Sequence, residues 1–215
     1  MRPLRHVLAC TLVLLAVSAC SSSSDTANTD QTTDATTSST QSSTPSTEAT
    51  TPTDATTSDD QSSGAGLSGT GFSIAIPDGW EDVTDIAKQN NQAADVAVAE
   101  VAKNGEFRTN FNTVTPNPID ASVTDAQLAA QAAKELKGVT HAPVTPIDAP
   151  DVDGSPALGQ TSEVQTSGFK LTLVQYIVRH DDKVYALTTT FETKNADEAK
   201  QKLDEILASW KWSKA

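Results

Sequence analysis

The feature that most constrains folding is a stretch of 46 residues, Ser21 to Gly66, without any Leu, Ile, Val, Met, Phe, Tyr or Trp. Ser and Thr make up 26 of these residues. Ordering a backbone residue costs about 1 to 2 kcal/mol, and this stretch has no apolar surface whose burial would offset that cost. The sequence therefore predicts a disordered stalk over residues 20–66, and a single folded domain over residues 67–215.

The charges of the stalk are all acidic, which favours an extended chain and repels anionic lipid headgroups. They are Asp25, Asp30, Asp34, Glu48, Asp54, Asp59 and Asp60. A flexible chain of this length has a root-mean-square reach of about 40 Å. We expect the stalk to hold the folded domain away from a membrane.

The N-terminal residues have the pattern of a secretory signal peptide. Arg2 and Arg5 precede an apolar stretch from Val7 to Val17, and small residues then lead to Cys20. The stretch is too short to span a bilayer core of about 30 Å. The small residues before Cys20 resemble a bacterial lipobox, which predicts a lipoprotein signal peptide over residues 1–19 and lipidation of Cys20, with palmitate among the expected acyl chains. The alternative is an ordinary cleaved signal peptide with an incidental cysteine.

Cysteine usage and charge narrow the possible partners. The other cysteine, Cys10, lies in the segment to be removed, so the mature chain has one thiol and no intramolecular disulfide. The predicted folded domain carries 13 basic and 21 acidic residues. A domain with this net negative charge is not expected to bind nucleic acid. We expect export, and attachment to the outer face of the cell membrane through the lipid.

Apolar periodicity predicts strands in the first half of the domain. Residues 71–77 alternate with Phe72 on the apolar face, and a proline turn at 77–79 ends this strand. Residues 95–101 are apolar on both faces, which is typical of an inner strand. Residues 107–115 predict a further strand, and Trp80 is expected in the core.

Two helices are predicted from capping signals and apolar stripes. Thr124 with Gln127 forms a capping box, and Gly138 is expected to end this first helix. The second opens at Asn195 with Glu198 three residues later. Strands are expected over 155–166, 169–180 and 184–192. The predicted apolar positions of the two helices are Leu128, Ala132 and Leu136, and Ala196, Ala199, Leu203, Ile206, Leu207 and Trp210.

No constellation of residues predicts catalysis or metal binding. The domain contains only His141 and His180 and no cysteine, so no zinc ligand set is expected. His180 beside two aspartates is interpreted as an exposed histidine at a strand end. The carboxylates of Asp148, Asp151 and Asp153 lack the spacing of a calcium loop and are interpreted as turn residues. We expect no cofactor, no catalytic residue and no metal ligand.

Several of these segments together resemble the LpqN/LpqT lipoproteins of mycobacteria and their relatives. The resemblance rests on residues 71–83 (GFSIAIPDGWEDV), 111–115 (FNTVT), the helix at 124–137, the hairpin through Tyr176 and Tyr185, and the closing helix with Trp210. It implies an α+β fold in which helices flank a curved antiparallel β-sheet, an α/β/α sandwich of the PsbP/Mog1-like kind, without catalytic activity.

The resemblance also implies a function in the cell envelope. It predicts a lipid-anchored binding or adaptor protein that meets the machinery of mycolic-lipid transport and binds trehalose glycolipids. One alternative is a scaffold that binds only envelope proteins, without a small-molecule ligand, and a remote one is a hydrolase. The sequence does not specify the ligand-binding residues or which sheet face binds a ligand or partner. It also does not specify the oligomeric state or whether the stalk is glycosylated. Trp80, Phe111, Tyr176 and Tyr185 are as compatible with the core as with a contact surface.

Overall fold

An antiparallel sheet of eight strands forms the centre of the fold within the part of the chain that the computed structural model describes, residues 66–101 and 107–214. The strands are β1 (Gly66–Gly69), β2 (Phe72–Ala75), β3 (Trp80–Asp82), β4 (Ala94–Glu100), β5 (Asn110–Val114), β6 (Asn117–Pro118), β7 (Val144–Ile147), β8 (Ala157–Thr166), β9 (Phe169–His180), β10 (Lys183–Glu192) and β11 (Lys211–Trp212). The helices are α1 (Thr84–Asn90), α2 (Asp125–Thr140) and α3 (Ala196–Ser209), and a 3₁₀ turn at Thr193–Asn195 precedes α3. The α+β class predicted from the sequence is confirmed.

The large sheet has the strand order β3-β4-β5-β10-β9-β8-β7, with β6 paired to one end of β10. Strand β9 pairs with β10 along the whole of β10, from His180 opposite Lys183 to Leu171 opposite Glu192. A turn at Asp181 and Asp182 closes this hairpin, and Asp181 adopts a φ of 51°. A second, three-stranded sheet has the order β1-β2-β11.

One face of the large sheet packs against α3 and the three-stranded sheet. The core of this layer includes Phe72 and Trp210, whose rings stack with centroids 4.0 Å apart, and Tyr185, whose ring meets Phe72 edge-on. Gly71 lies so close that a Cβ there would stand 2.7 Å from the Tyr185 hydroxyl oxygen, so only glycine fits this turn. The strand predicted through Phe72 therefore lies in the smaller sheet and covers the larger one.

The opposite face packs against α1 and α2. Leu128 and Ala132 of α2 cluster with Ile177, Val184 and Ala186 of the sheet, whereas Ala87 of α1 packs on the alanines of β4. The predicted capping box is present, since Gln127 N–H donates to Thr124 Oγ1 and Thr124 N–H donates to Gln127 Oε1. Helices thus flank both faces of the sheet.

A row of buried polar side chains crosses the α1–α2 face of the sheet. Gln160 Nε2 donates to Gln175 Oε1 at 2.5 Å, and Gln175 Nε2 donates to Thr188 Oγ1 at 3.1 Å. Asn112 lies opposite Thr188 on β5, and its Nδ2 has no hydrogen-bond partner. Thr190, two residues along β10, is 0% exposed and its Oγ1 is also unpartnered. Buried polar groups without a hydrogen-bond partner lower stability, because no hydrogen bond offsets the free-energy cost of removing them from water.

Three details of the predicted helix and strand ends were wrong. Helix α2 continues through the exposed Gly138 to Thr140, and ends where His141 adopts a left-handed φ of 53°. Strand β5 begins at Asn110 and not at Phe107, and the Arg108 side chain before it donates from Nε to the Glu100 carbonyl oxygen at 2.6 Å.

The third correction concerns α3. Asn195 makes no side-chain capping bond, and the helix begins from a 3₁₀ turn instead. Ala196 is exposed, whereas the other predicted apolar positions of α3 are buried.

Candidate functional site

A cavity of about 290 Å³ lies between the N-terminus of α2 and the adjoining ends of β8 and β9. Eight residues line it: Asp125, Leu128, Pro156, Ala157, Leu158, Ile177, Arg179 and Asp181. They come from a helix, two strands and a turn that lie far apart in the sequence. We call this cavity the α2 pocket.

The floor of the α2 pocket is apolar. Leu158 and Ile177 are opposite each other in the register of β8 and β9, and Leu128 reaches them from the first turn of α2. Leu128 and Ile177 are almost fully buried. The capping box fixes the start of α2, so it also fixes where Leu128 meets the sheet.

The rim of the pocket is charged. Arg179 Nη2 donates to the Val123 carbonyl oxygen at 2.6 Å and lies 3.5 Å from Asp125 Oδ1. Asp125 and Asp181 are both largely exposed. Only 26% of the Arg179 side chain is accessible, so the exposed Asp125 carboxylate is the rim group most open to a ligand. The pocket thus combines an apolar floor with two carboxylates and one guanidinium at its mouth.

A hydrogen-bonded cluster lies behind the pocket wall. The Ser155 hydroxyl is 2.8 Å from His180 Nδ1, and His180 Nε2 is 3.6 Å from Asp181 Oδ2. The His180 ring stacks on Trp212, with centroids 3.9 Å apart and planes 7° from parallel. His180 is therefore not the freely exposed residue that the sequence predicted, because only 26% of its side chain is accessible.

The C-terminal strand is held to the same cluster by Asp153. Asp153 accepts hydrogen bonds from Lys211 Nζ at 2.8 Å and from the Trp212 backbone N–H at 3.0 Å. The Trp212 indole Nε1 donates to the Val152 carbonyl oxygen at 3.1 Å. The hydrogen bond from Lys211, followed by that from Trp212, lowers the pKa of Asp153 below its usual value. Asp153 thus binds a lysine and a backbone amide, as expected of a turn residue.

The Ser155, His180 and Asp181 side chains do not have the arrangement of a hydrolytic triad. In such a triad the serine contacts Nε2, the carboxylate contacts Nδ1, and the serine is open to substrate, whereas here Ser155 contacts Nδ1 and Asp181 faces Nε2. Here Ser155 is only 7% exposed, and its backbone N–H and carbonyl both bond to Val152. Among the described residues no group of three or more His, Cys, Asp or Glu side chains is placed to hold a metal ion.

The remaining residues singled out from the sequence fall into two groups. Trp80, Phe111, Tyr176 and Tyr185 all belong to the core beneath α3 and the small sheet. Cys20, the predicted lipidation site, and the predicted stalk lie outside the described residues. No helix in the described ranges is long and apolar enough to cross a bilayer.

The sequence did not identify the pocket residues Asp125, Arg179 and Asp181. One signal was present, since Arg179 follows Ile177 on the face of β9 that packs against α2, and the preceding residues on that face are uncharged. A charged residue at such a position is unusual in a sheet face covered by a helix.

Comparison with known proteins shows that this chain is similar to others in fold only. No family model matches the chain. No curated protein matches it. Several solved structures are similar to it, and the three described below share 11 to 17% of its sequence.

Among these structures is LpqN of Mycobacterium tuberculosis, described as involved in cell envelope biogenesis, with 11% identity and a TM-score of 0.48 over 73% of this chain and 88% of LpqN. The PsbP protein of Synechocystis sp. PCC 6803 has 17% identity and a TM-score of 0.46 over 66% of this chain and 87% of its own. A Bacteroides thetaiotaomicron protein has 12% identity and a TM-score of 0.46 over 67% of this chain, which spans only 46% of that protein. Membership of the LpqN/LpqT family stays a prediction.

Proposed function

We propose that this chain is a lipid-anchored binding protein of the cell envelope, without catalytic activity, whose α2 pocket accepts part of a glycolipid. The signal-peptide pattern, the lipobox-like residues before Cys20 and the acidic Ser/Thr-rich stretch support attachment at the outer face of the cell membrane. The net negative charge of the domain disfavours direct adsorption to an anionic bilayer, so the acyl chains supply the attachment.

The observation that carries the binding function is the composition of the α2 pocket. An amphiphile needs apolar surface next to hydrogen-bonding groups, and Leu128, Leu158 and Ile177 lie directly below Asp125 and Arg179. A volume of about 290 Å³ lies just below the range of small-molecule sites, about 300 to 1,000 Å³. It therefore suits a sugar headgroup and the first part of a chain rather than a whole long-chain lipid.

Trehalose glycolipids are the proposed ligand, following the resemblance to the LpqN/LpqT lipoproteins. The carboxylates at the rim accept hydrogen bonds from sugar hydroxyls, and the Arg179 guanidinium donates to their oxygens. The proposed partners are the membrane, through the lipid, and proteins that transport mycolic lipids.

The binding experiment uses the mature chain, residues 20–215, with Cys20→Ala to prevent acylation. A trehalose monoester with one short acyl chain is titrated into it by calorimetry. We expect saturable binding that Leu158→Trp abolishes, because Leu158 lies on the pocket floor with Leu128 and Ile177 and the larger indole fills the pocket. The matched control Ala130→Trp places the same side chain on the exposed face of α2 and should bind as the parent does. Absence of binding by the parent, or equal binding by both variants, contradicts the proposed site.

The anchor is tested in cells. Membranes separated without detergent should contain the wild-type chain, whereas Cys20→Ala should move to the soluble fraction. Sedimentation of the Cys20→Ala variant with membranes would show that something other than the acyl chains attaches the protein.

A further inference from the structure

Arg179 joins strand β9 to the start of α2 at the α2 pocket. Its Nη2 donates to the Val123 carbonyl oxygen at 2.6 Å and lies 3.5 Å from Asp125 Oδ1. A guanidinium has five N–H donors, and only two of them are on Nη2. Within the described ranges the buried Nε has no hydrogen-bond partner, and neither contact uses Nη1. Arg179 therefore brings more donors to the pocket than these two contacts use.

Arg179 lies at the level where the pocket lining changes from apolar to charged. It follows Ile177 by two residues on the same face of β9, so it lies about 7 Å further along the strand. On α2, Asp125 lies about one helical turn before Leu128. Ile177 and Leu128 both belong to the apolar floor. An apolar chain that lies on this floor therefore brings its first polar group to Arg179 and Asp125.

The charges at this level favour a neutral hydrogen-bond acceptor over an anion. The Asp125 carboxylate offsets the charge of Arg179, and the whole domain is net negative. An anionic ligand group would be attracted by Arg179 and repelled by Asp125 at the same place. A carbonyl oxygen is uncharged and only accepts hydrogen bonds, so it suits Arg179 and not Asp125. A hydroxyl also donates, so it suits the Asp125 carboxylate.

We propose that Arg179 is a specificity-determining residue of the α2 pocket, and that it selects the ester carbonyl of an acylated sugar. The acyl chain begins on the apolar floor, its carbonyl oxygen accepts a hydrogen bond from the guanidinium, and a sugar hydroxyl donates to Asp125. The pocket then prefers a sugar that carries its chain through an ester to one that carries it through an ether. This inference rests on the proposed function, since it concerns the pocket assigned there.

The test compares two ligands that differ only at this carbonyl group. One is the short-chain trehalose monoester, and the other is a trehalose monoether with an alkyl chain of the same length at the same position. With the mature Cys20→Ala chain, calorimetry should show about tenfold tighter binding of the ester, the gain from one hydrogen bond to a charged donor. Arg179→Met should bring the ratio of the two affinities close to one. Lys134→Met removes a cation from the exposed face of α2, and as the matched control it should keep the ratio.

The ratio of affinities separates ligand recognition from a structural effect of Arg179. Loss of the Val123 contact alone would weaken the binding of both ligands equally and leave the ratio unchanged. If Arg179→Met does not fold, Arg179→Lys keeps the positive charge and a donor for the Val123 carbonyl oxygen. This variant should also lower the ratio, because an ammonium lacks the planar fork of donors.

Three results overturn this inference and leave the proposed function standing. They are binding of the ether by the parent as tightly as the ester, a ratio that the Arg179 variant leaves unchanged, and a ratio that Lys134→Met lowers equally. Binding of neither ligand by the parent overturns the proposed function itself.

Discussion

Two threonines on β10 provide a matched pair for testing the buried polar row. Thr188 and Thr190 lie on the same strand, two residues apart, and their side chains point to the same face of the sheet. Both are almost fully buried. The Thr188 hydroxyl oxygen accepts a hydrogen bond from Gln175 Nε2 at 3.1 Å, whereas the Thr190 hydroxyl has no partner. Replacing each with Val changes the hydroxyl to a methyl group and keeps the β-branched shape.

The two substitutions are expected to change stability in opposite directions. Thr188→Val removes a hydrogen bond and should lower the free energy of unfolding by about 1 kcal/mol. Thr190→Val removes a buried hydroxyl whose desolvation is uncompensated, a cost of about 1 to 3 kcal/mol in proteins. We therefore expect it to raise the free energy of unfolding by about 1 kcal/mol.

Urea-induced unfolding measures both changes. The midpoint should fall for Thr188→Val and rise for Thr190→Val, with an unchanged dependence of the free energy on urea concentration. In thermal unfolding, 1 kcal/mol corresponds to a Tm shift of about 2 to 4 °C for a protein of this size. Destabilisation by Thr190→Val of 1 kcal/mol or more would refute the reasoning, because it would mean that the Thr190 hydroxyl is hydrogen-bonded in the folded protein.

Three further substitutions test other parts of the fold. Thr124→Ala removes the capping box and should lower stability by about 1 kcal/mol in urea unfolding, whereas Thr124→Asn should retain most of it. Phe72→Ala should cost about 3 to 5 kcal/mol, and a loss below 1 kcal/mol would mean that the ring is not packed as described. The pKa of Asp153 is lowered in the folded state, so its ionised carboxylate stabilises the fold at pH values above the usual pKa of 3.8. This stabilisation is lost as the pH falls below 3.8 and through the lowered pKa. Acidification should then change the fluorescence of Trp212, and Asp153→Asn should show the changed signal already at pH 7.

The sequence predicted those elements whose own residues carry a strong pattern. Strand β9 was expected over 169–180 and has those bounds, because its apolar run is long and ends at a turn. Helix α1 was missed, since it has seven residues and buries only Thr84 and Ala87, too few to give a helical stripe. Strand β7 was missed because Pro146 disfavours strand structure, although an edge strand tolerates it.

The candidate site was less predictable than the fold, because its contacts join distant parts of the chain. Ser155 and His180 are 25 residues apart, and Trp212 reaches Val152 across 60 residues. Neither contact is implied by local periodicity or capping. The pairing of β8 with β9 and the docking of β11 bring these residues together, and both depend on tertiary packing.

The mass of the mature protein tests the central claim most directly. Protein extracted from membranes with detergent and measured intact should have the mass of a chain that begins at Cys20 and carries acyl groups. Proteolysis should place all of the added mass on the peptide that contains Cys20. A chain that begins elsewhere, or one that begins at Cys20 without added acyl mass, would contradict the account of a lipid-anchored binding protein.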